Sequence, residues 1–448
     1  MKNKLIIYFS LLLTVSMFSQ ENNQSFTLQE AIDYALENNR TSKNAERDIE
    51  AAKKQKWETI ATGLPQIDGS IDYQNFIKQQ VQVIPASAFG GPEGEVNAVE
   101  FGLDQSVNAS ATLSQLIFDG SYIVGLQSAK VFLEISENAK IKTDLEVRKA
   151  VINAYGNVLL AEESVDILEK NKATLQKNLD ETTKIYENGL EEEESVEQLQ
   201  ITLSSILSNL SNTIRLKKVA YQMLNITLGL DIDYNTSLTD NLETLTAKNI
   251  DLALVSQTFE INNTIDYLIA ENDKTSKALL VKLEQSRALP TINTFLTGGY
   301  ASFSNDFDFL KSDQKYYGFG IFGASIKVPI FGSGLKSART QRAKIDLEKS
   351  KDELTETEQR LKLQIASAKS DYQFAIEDYN NKKENLNLAE RIEKKNQTKF
   401  FEGIASSFEL RQAQIQLYSA QQEFLQAMLD VINTKAALET ISNTIINN

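Results

Sequence analysis

The sequence contains no cysteine and no histidine. It therefore forms no disulfide, no zinc finger and no thiol nucleophile, and it lacks the imidazole group on which much acid–base catalysis depends. Proline and glycine are also scarce, with 5 and 19 residues among 448. Because these two residues interrupt helices, their scarcity indicates a chain dominated by long helices.

Positive charge is in short supply as well. The 46 Lys and Arg residues are outnumbered by 61 Asp and Glu residues, which gives a formal net charge of −15. No basic patch is present, and this argues against a nucleic-acid partner. The sequence also lacks a glycine-rich phosphate loop, a Ser–His pair and a cluster of metal ligands, so we expect no enzymatic activity, no cofactor and no metal site.

The N-terminus has the pattern of a secretory signal peptide. Lys2 and Lys4 precede an apolar run from Leu5 to Val15, and small residues follow up to Ser19. This run is too short to span a bilayer, and no later stretch has the roughly 20 apolar residues of a transmembrane helix. We therefore assign residues 1–19 to a signal peptide and expect an exported protein.

The chain that follows alternates between helical and strand periodicity. A helix is predicted from Thr27 to Thr62, followed by a strand around 67–73, a Gly- and Pro-rich loop over 84–102 and a strand over 106–114. The stretch from Gly120 to Asn188 then contains almost no helix breakers and predicts one helix of roughly 100 Å. A turn at Gly189 and a return helix over 192–228 complete this half.

The same order then occurs a second time. A predicted helix over 250–288 precedes strands over 292–302 and 316–328, a long helix over 334–402, a turn at Gly403 and a return helix. The sequence is therefore predicted to consist of two tandem structural repeats. The expected boundaries are 26–229 for the first repeat, 230–248 for a linker and 249–448 for the second repeat.

Both return helices carry apolar residues at spacings of three and four. These residues are Val196, Leu199, Leu203, Ile206 and Leu210 in the first repeat, and Leu410, Ala413, Leu417, Ala420 and Phe424 in the second. Such heptads predict that each return helix pairs with its long helix in an antiparallel coiled-coil hairpin.

The strands raise the question of how their edges are covered. Four strands make an isolated sheet with two bare edges, whereas a symmetric oligomer can close the sheet into a barrel. A trimer would have about twelve strands above a tube of about twelve helices. The residues therefore predict a mainly α fold with long antiparallel helical hairpins and four strands per chain, which a trimer would complete into a 12-stranded barrel. The alternation of the strands fits both a half-buried soluble sheet and strands that cross a bilayer.

This layout resembles the outer-membrane efflux protein (TolC) family. The similarity lies in the duplicated element order, the Leu-Pro helix-to-strand junctions at Pro65 and Pro290, the Ile-Phe junctions at Phe118 and Phe331, and the glycine hairpin tips Gly189 and Gly403. The resemblance implies a homotrimer in the cell outer membrane, in which four strands per chain complete a 12-stranded transmembrane β-barrel and the helical hairpins form an α-barrel conduit in the periplasm. It also implies a periplasmic adaptor (membrane fusion protein) and an inner-membrane pump as partners, with the chain as the passive exit channel of a tripartite efflux or type I secretion system.

The resemblance places the periplasmic mouth and its gate at the hairpin tips. An acidic gate residue is expected just past Gly403, where Glu409 stands, while the next acidic position of the family holds Gln412 here. In the first repeat, Glu191, Glu192, Glu193 and Glu194 follow Gly189. This run either favours the start of a helix through the helix dipole or, in three copies, forms an anionic collar that selects cations or binds a basic adaptor tip.

Two other classes of protein share some of these features. A soluble periplasmic coiled-coil adaptor would have the same helical hairpins but would bury its strands in a sandwich. A filament or surface-layer protein would fit the acidic coiled-coil composition. The duplication and the lack of lipoyl-like or membrane-anchor segments count against the adaptor. The alternating strands at equivalent places in both repeats argue against the filament.

Overall fold

The computed structural model describes residues 24–443. The signal peptide predicted for residues 1–19 lies outside this range. The helices are α1 (Leu28–Asn38), α2 (Arg40–Ala61), α3 (Gly120–Glu187), α4 (Glu193–Leu228), α5 (Leu242–Lys248), α6 (Leu252–Ser256), α7 (Ile265–Ser286), α8 (Leu335–Phe401) and α9 (Ser407–Ser442). The strands are β1 (Gln24–Phe26), β2 (Gln66–Asn75), β3 (Val81–Pro85), β4 (Val96–Glu100), β5 (Gln105–Asp119), β6 (Thr236–Leu238), β7 (Thr291–Ser304) and β8 (Tyr317–Lys327).

The long elements confirm the predicted fold class. The helices α3 and α8 contain 68 and 67 residues, and each is followed by a 36-residue return helix, α4 or α9. Each long helix is preceded by two antiparallel strands, so the order predicted from the sequence occurs in both halves. The fold is therefore mainly helical, with a four-stranded sheet and two tandem repeats.

The single helix predicted from Thr27 to Thr62 is wrong, because the backbone leaves the helical conformation at Asn39. Asn39 has φ −58° and ψ 135° and separates α1 from α2. Its side-chain oxygen accepts a hydrogen bond from the N–H of Thr41 at 2.7 Å, and its amide nitrogen donates to the carbonyl of Thr227 at 2.8 Å. An asparagine that caps a new helix and bonds α4 explains this break.

The linker and the helix predicted over 250–288 also differ from the structure. Residues 236–238 form β6, which pairs in parallel with β1, and residues 242–248 form α5. Two short helical segments follow, α6 and a 3-10 turn at Ile261–Asn263, and the continuous helix α7 begins only at Ile265. Asn241 and Asp251 cap the short helices with their side chains, so local capping outweighs the helical periodicity here.

The four-stranded sheet has the order β2–β5–β7–β8, and every neighbouring pair is antiparallel. Its register brings apolar and small side chains of all four strands to one face. These include Ile67, Ile71 and Tyr73 of β2, Val107, Ala109 and Leu113 of β5, Leu296 and Tyr300 of β7, and Phe322 of β8. Among the residues that the structure describes, no strand pairs with the outer edge of β2 or of β8.

The described residues form two compact units, and each takes segments from both repeats. One comprises the residues up to 49, 136–270 and those from 354 onward, and the other comprises 50–135 and 271–353. The first has a large core around the fully buried Tyr155 and Tyr372. The second contains the sheet and a small cluster of Val124, Val131 and Leu279.

The predicted heptad positions are confirmed as core. All five apolar residues predicted for α4 are buried, and four of them form a cluster with Leu168 and Leu175 of α3. In α9, Leu410, Ala413 and Ala420 are buried at the equivalent positions, while Leu417 and Phe424 are half-buried. The hairpins are therefore held together by apolar seams that run along both helices.

Candidate functional site

The first hairpin turns at Gly189, which has φ +75°. The N–H of Gly189 donates to the carbonyl of Tyr186 at 2.7 Å, and the N–H of Leu190 donates to the carbonyl of Ile185 at 3.1 Å. This pair of bonds is a Schellman motif, which satisfies the last carbonyls of α3 and needs a left-handed residue. It leaves the side chain of Leu190 79% exposed at the tip.

The second hairpin has the same geometry at Gly403, where φ is +73°. The N–H of Gly403 donates to the carbonyl of Phe400 at 3.0 Å, and the N–H of Ile404 donates to the carbonyl of Lys399 at 2.8 Å. The side chain of Ile404 is 71% exposed. Each tip therefore presents one large apolar side chain directly after its glycine.

Of the four glutamates of the first tip, Glu193 and Glu194 lie in the first turn of α4, and Glu191 and Glu192 directly precede it. The carboxylate of Glu191 accepts a 2.7 Å hydrogen bond from the Ser195 hydroxyl, and that of Glu194 accepts one of 2.8 Å from the Gln198 amide. Glu192, Glu193 and Glu194 are exposed. Negative charge at a helix N-terminus is favourable, so local structure alone accounts for this cluster in one chain.

Glu409, the predicted gate residue of the second tip, forms a capping box with Ser406. The backbone N–H and the hydroxyl of Ser406 donate to the Glu409 carboxylate at 2.8 and 3.1 Å. The hydrogen bond from the Ser406 backbone holds the pKa of Glu409 below its usual range. Glu409 therefore carries a negative charge fixed in the first turn of α9, and Gln412 is exposed three residues later.

A layer of buried amides lies behind the tips, and the sequence analysis missed it. The Gln397 amide of α8 donates to Asn178 of α3 at 3.0 Å, and the Asn171 amide of α3 donates to Gln421 of α9 at 2.8 Å. The sequence feature that could have revealed this layer is the seven-residue spacing of Ser164, Asn171 and Asn178, all of which are buried. These polar residues run beside the apolar seam of α3 and join the two hairpins by side-chain hydrogen bonds.

A half-buried carboxyl group, Glu393 of α8, lies in the same region. Burial raises its pKa above the usual range. Burial also raises the pKa of Tyr418 on α9, and the nearby charge of Glu393 adds to that rise. The tip region therefore contains an acidic group whose negative charge is disfavoured by burial relative to a group in water.

The helix–strand junctions are alike at the prolines and different at the phenylalanines. Before both Pro65 and Pro290, the last two residues donate their N–H groups to carbonyls three residues earlier. Phe118 lies within β5 beside a register shift and pairs with Ile292, whereas Phe331 lies between β8 and α8 and is 89% exposed. The prolines therefore end helices in both repeats, and only the first phenylalanine belongs to a strand.

Within residues 24–443, every helix falls short of the length or hydropathy that crossing a bilayer requires.

Comparison with known proteins identifies the family. The family model of the outer membrane efflux protein matches residues 31–230 and 272–444, which is one match in each repeat. A search of curated protein sequences finds no significant match.

Solved structures show the same fold at low sequence identity. VceC from the bacterial pathogen Vibrio cholerae has a TM-score of 0.72 and 16% identity, covering 93% of this chain and 95% of that chain. The CmeC outer membrane channel of Campylobacter jejuni has a TM-score of 0.71 and 19% identity, covering 96% and 90%. The MtrE outer membrane channel of Neisseria gonorrhoeae, in its open state, has a TM-score of 0.70 and 19% identity, covering 93% and 88%.

The family match covers most of the chain, and the fold comparison covers nearly all of it. The localisation predicted from the sequence, the outer membrane with the helical part in the periplasm, agrees with this family. The soluble adaptor and the filament receive no support. The chain belongs to the outer membrane efflux protein family, and it is an outer-membrane efflux channel protein and not an enzyme.

Proposed function

We propose that three copies of this chain close into one twelve-stranded transmembrane barrel, which serves as the exit duct of a tripartite efflux system. The observation that carries the proposal is the chemistry of the sheet. Its apolar face runs through all four strands, and on β2 the residues Ile67 and Ile71 are 76% and 79% exposed. A large exposed apolar face in an outer-membrane protein is suited to lipid.

The opposite face of the sheet supports an aqueous interior. On β2 and β5 it carries Asp68, Asp72 and Asn108, together with a ladder of hydroxyl groups. The hydroxyls of Ser70 and Ser110 lie 3.2 Å apart, and those of Thr112 and Thr297 lie 2.9 Å apart. This alternation along β2 and β5 is what a barrel between lipid and water requires, although on β7 and β8 the same face also carries Phe295 and Ile321.

The bare edges of the sheet are compatible with closure by identical copies. The strands β2 and β8 run in opposite directions, because three antiparallel steps separate them. Pairing β2 of one copy with β8 of the next therefore continues the antiparallel order around a ring. Three copies of four strands give twelve, and no edge remains.

The hairpin tips are the proposed docking surface for a periplasmic adaptor, which connects the duct to an inner-membrane pump. Leu190 and Ile404 offer two exposed apolar side chains at equivalent positions. In the trimer, Glu191 to Glu194 and Glu409 would surround the periplasmic mouth with negative charge and attract a basic adaptor tip. The same charges would make the mouth selective for cations.

A matched pair of lysine variants on β2 tests the barrel. Ile71→Lys places a charge on the proposed lipid face, where a lysine near the bilayer midplane costs about 2–4 kcal/mol. Asp72→Lys alters the adjacent residue on the proposed water face and should be tolerated. We expect Ile71→Lys to abolish the trimer in outer-membrane extracts, measured by native mass spectrometry, while Asp72→Lys retains it. Equal trimer yields from both variants would rule out the proposed orientation of the sheet.

A further inference from the structure

The segment between β2 and β5 forms a two-stranded β-hairpin of its own, which we call the arm (residues 77–103). The sequence analysis treated most of it as a loop, but β3 and β4 pair over five residues from Val81↔Glu100 to Pro85↔Val96. The Gln79 amide donates to the Leu103 carbonyl at 2.7 Å, which ties the base of the arm. The arm is therefore an ordered extension of the β2–β5 hairpin.

One face of the arm is mainly apolar and is exposed. Its register puts Val81, Val83 and Pro85 on the same face as Val96 and Ala98, with Glu100 opposite Val81 at the base. The three valines are 42%, 63% and 65% exposed, and Pro85 and Ala98 are exposed as well. An isolated two-stranded hairpin is at best marginally stable in water, so this face needs a surface to pack against.

The position of the arm argues against lipid as that surface. The aromatic rings of Tyr73, Phe307 and Phe309 pack edge to face at the ends of the strands, with centroids 5.6 to 6.1 Å apart. Aromatic residues at strand ends mark the boundary of the apolar band in barrels of this kind. The arm begins beyond Asn75, the last residue of β2, and so lies past this boundary.

The topology instead points to a neighbouring copy of the chain. The arm continues from β2, whose free edge meets β8 of the next copy in the proposed barrel. The first residue of β8, Tyr317, lies at the same end of the sheet as the base of the arm, because Tyr317 pairs with Ala301 and Ala301 pairs with Asn108 near the start of β5. The neighbouring copy therefore brings the start of its β8 beside the arm.

That part of the neighbouring copy also has exposed large side chains. Tyr317 is 59% exposed and Leu310, in the preceding loop, is 90% exposed. We propose that the arm is an intersubunit clasp: its apolar face of Val81, Val83 and Val96 packs on Leu310 and Tyr317 of the next copy. The clasp rests on the proposed trimer and adds contacts between copies outside the bilayer.

Cysteine cross-linking tests the clasp directly, because the natural chain has no cysteine. The variant Val83→Cys with Tyr317→Cys, treated in outer membranes with a short bismaleimide, should appear as covalent dimers and trimers on denaturing gels. Either single variant should remain monomeric. The matched control is Gln82→Cys with Tyr317→Cys, since Gln82 lies on the opposite face of β3. This control should cross-link much less.

Native mass spectrometry of the same samples separates the two proposals. A trimer without covalent links in the Val83 variant would overturn the clasp and leave the barrel standing. Stronger cross-linking of the Gln82 control would also overturn it, because the wrong face would be covered. A monomeric protein would instead contradict the proposed barrel on which the clasp depends.

Discussion

At the scale of single residues, Gly189 and Gly403 hold the hairpin turns in the left-handed region that ordinary residues avoid. Their φ values of +75° and +73° are nearly the same in the two repeats. A Cβ atom at either position would meet nothing within 4 Å. The requirement for glycine is therefore one of backbone conformation and not of space.

Replacing Gly403 with alanine should loosen the second tip. The left-handed conformation costs a residue with a Cβ about 1–2 kcal/mol. We expect faster amide hydrogen exchange over residues 399–405 in Gly403→Ala, with little change elsewhere. Gly332→Ala is the matched control, since Gly332 also has open space around it but has no left-handed φ. Equal effects of the two substitutions would show that the turn geometry is not the cause.

Glu393 should make the stability of the helical hairpins depend on pH. Burial raises its pKa in the folded protein above the ordinary value of 4.5. The stability that this group contributes is thus fully present below its ordinary pKa and is lost as the pH rises through the folded-state pKa. We expect Glu393→Gln to melt at a higher temperature than the natural protein at pH 8, and the difference to shrink towards pH 4.

Thermal melting of detergent-solubilised protein at several pH values measures this effect. Glu390→Gln on the same helix is the control, because Glu390 is exposed. That variant should follow the natural protein at every pH. A constant difference between Glu393→Gln and the natural protein across the pH range would contradict the account.

At the scale of elements, the sequence was most informative where one period runs for many turns. The helices α3 and α8 begin and end within one residue of their predicted limits, because little else than a helix suits almost 70 residues with so few breakers. The strands of the sheet could be predicted for a similar reason, because their alternating apolar and polar residues lie on the two opposite faces of the sheet.

Short elements could not be predicted in the same way. The break at Asn39 depends on a hydrogen bond to Thr227, which is distant in sequence, and the pairing of β1 with β6 joins residues more than 200 positions apart. The arm was not predicted because glycine and proline residues near its turn indicate a loop, although two five-residue strands flank them.

At the helical hairpin tips, the turn glycines could be identified from the sequence. The capping role of Glu409 was overlooked, although Ser406 stands three residues before it.

The glutamates at the start of α4 lead to a prediction about ion conduction through the channel. If three copies of Glu191 to Glu194 form a collar, divalent cations should lower the conductance of the channel in planar bilayers. Changing all four residues to glutamine should remove the block by divalent cations and reduce cation selectivity. The control changes an equal number of exposed glutamates elsewhere, namely Glu37, Glu46, Glu50 and Glu58. An unaltered divalent block in the tip variant would leave these glutamates with only their local role in the helix.

At the scale of the whole molecule, one chain has all the parts of a duct but cannot close one. The sheet has two bare edges and an exposed apolar face, and the arm has another such face. The proposed ring would cover the edges, place the large apolar face in lipid and give the arm a partner. The same ring would repeat the acidic tips around the periplasmic mouth, so the charge at the opening would depend on the number of copies.

Negative-stain imaging of the mature protein, extracted from outer membranes in detergent, tests this account most directly. We predict threefold symmetry in end views and, in side views, a tube longer than about 100 Å with a detergent belt at one end. Single rods without threefold symmetry or a detergent belt would contradict the barrel and the assignment of the sheet to the membrane.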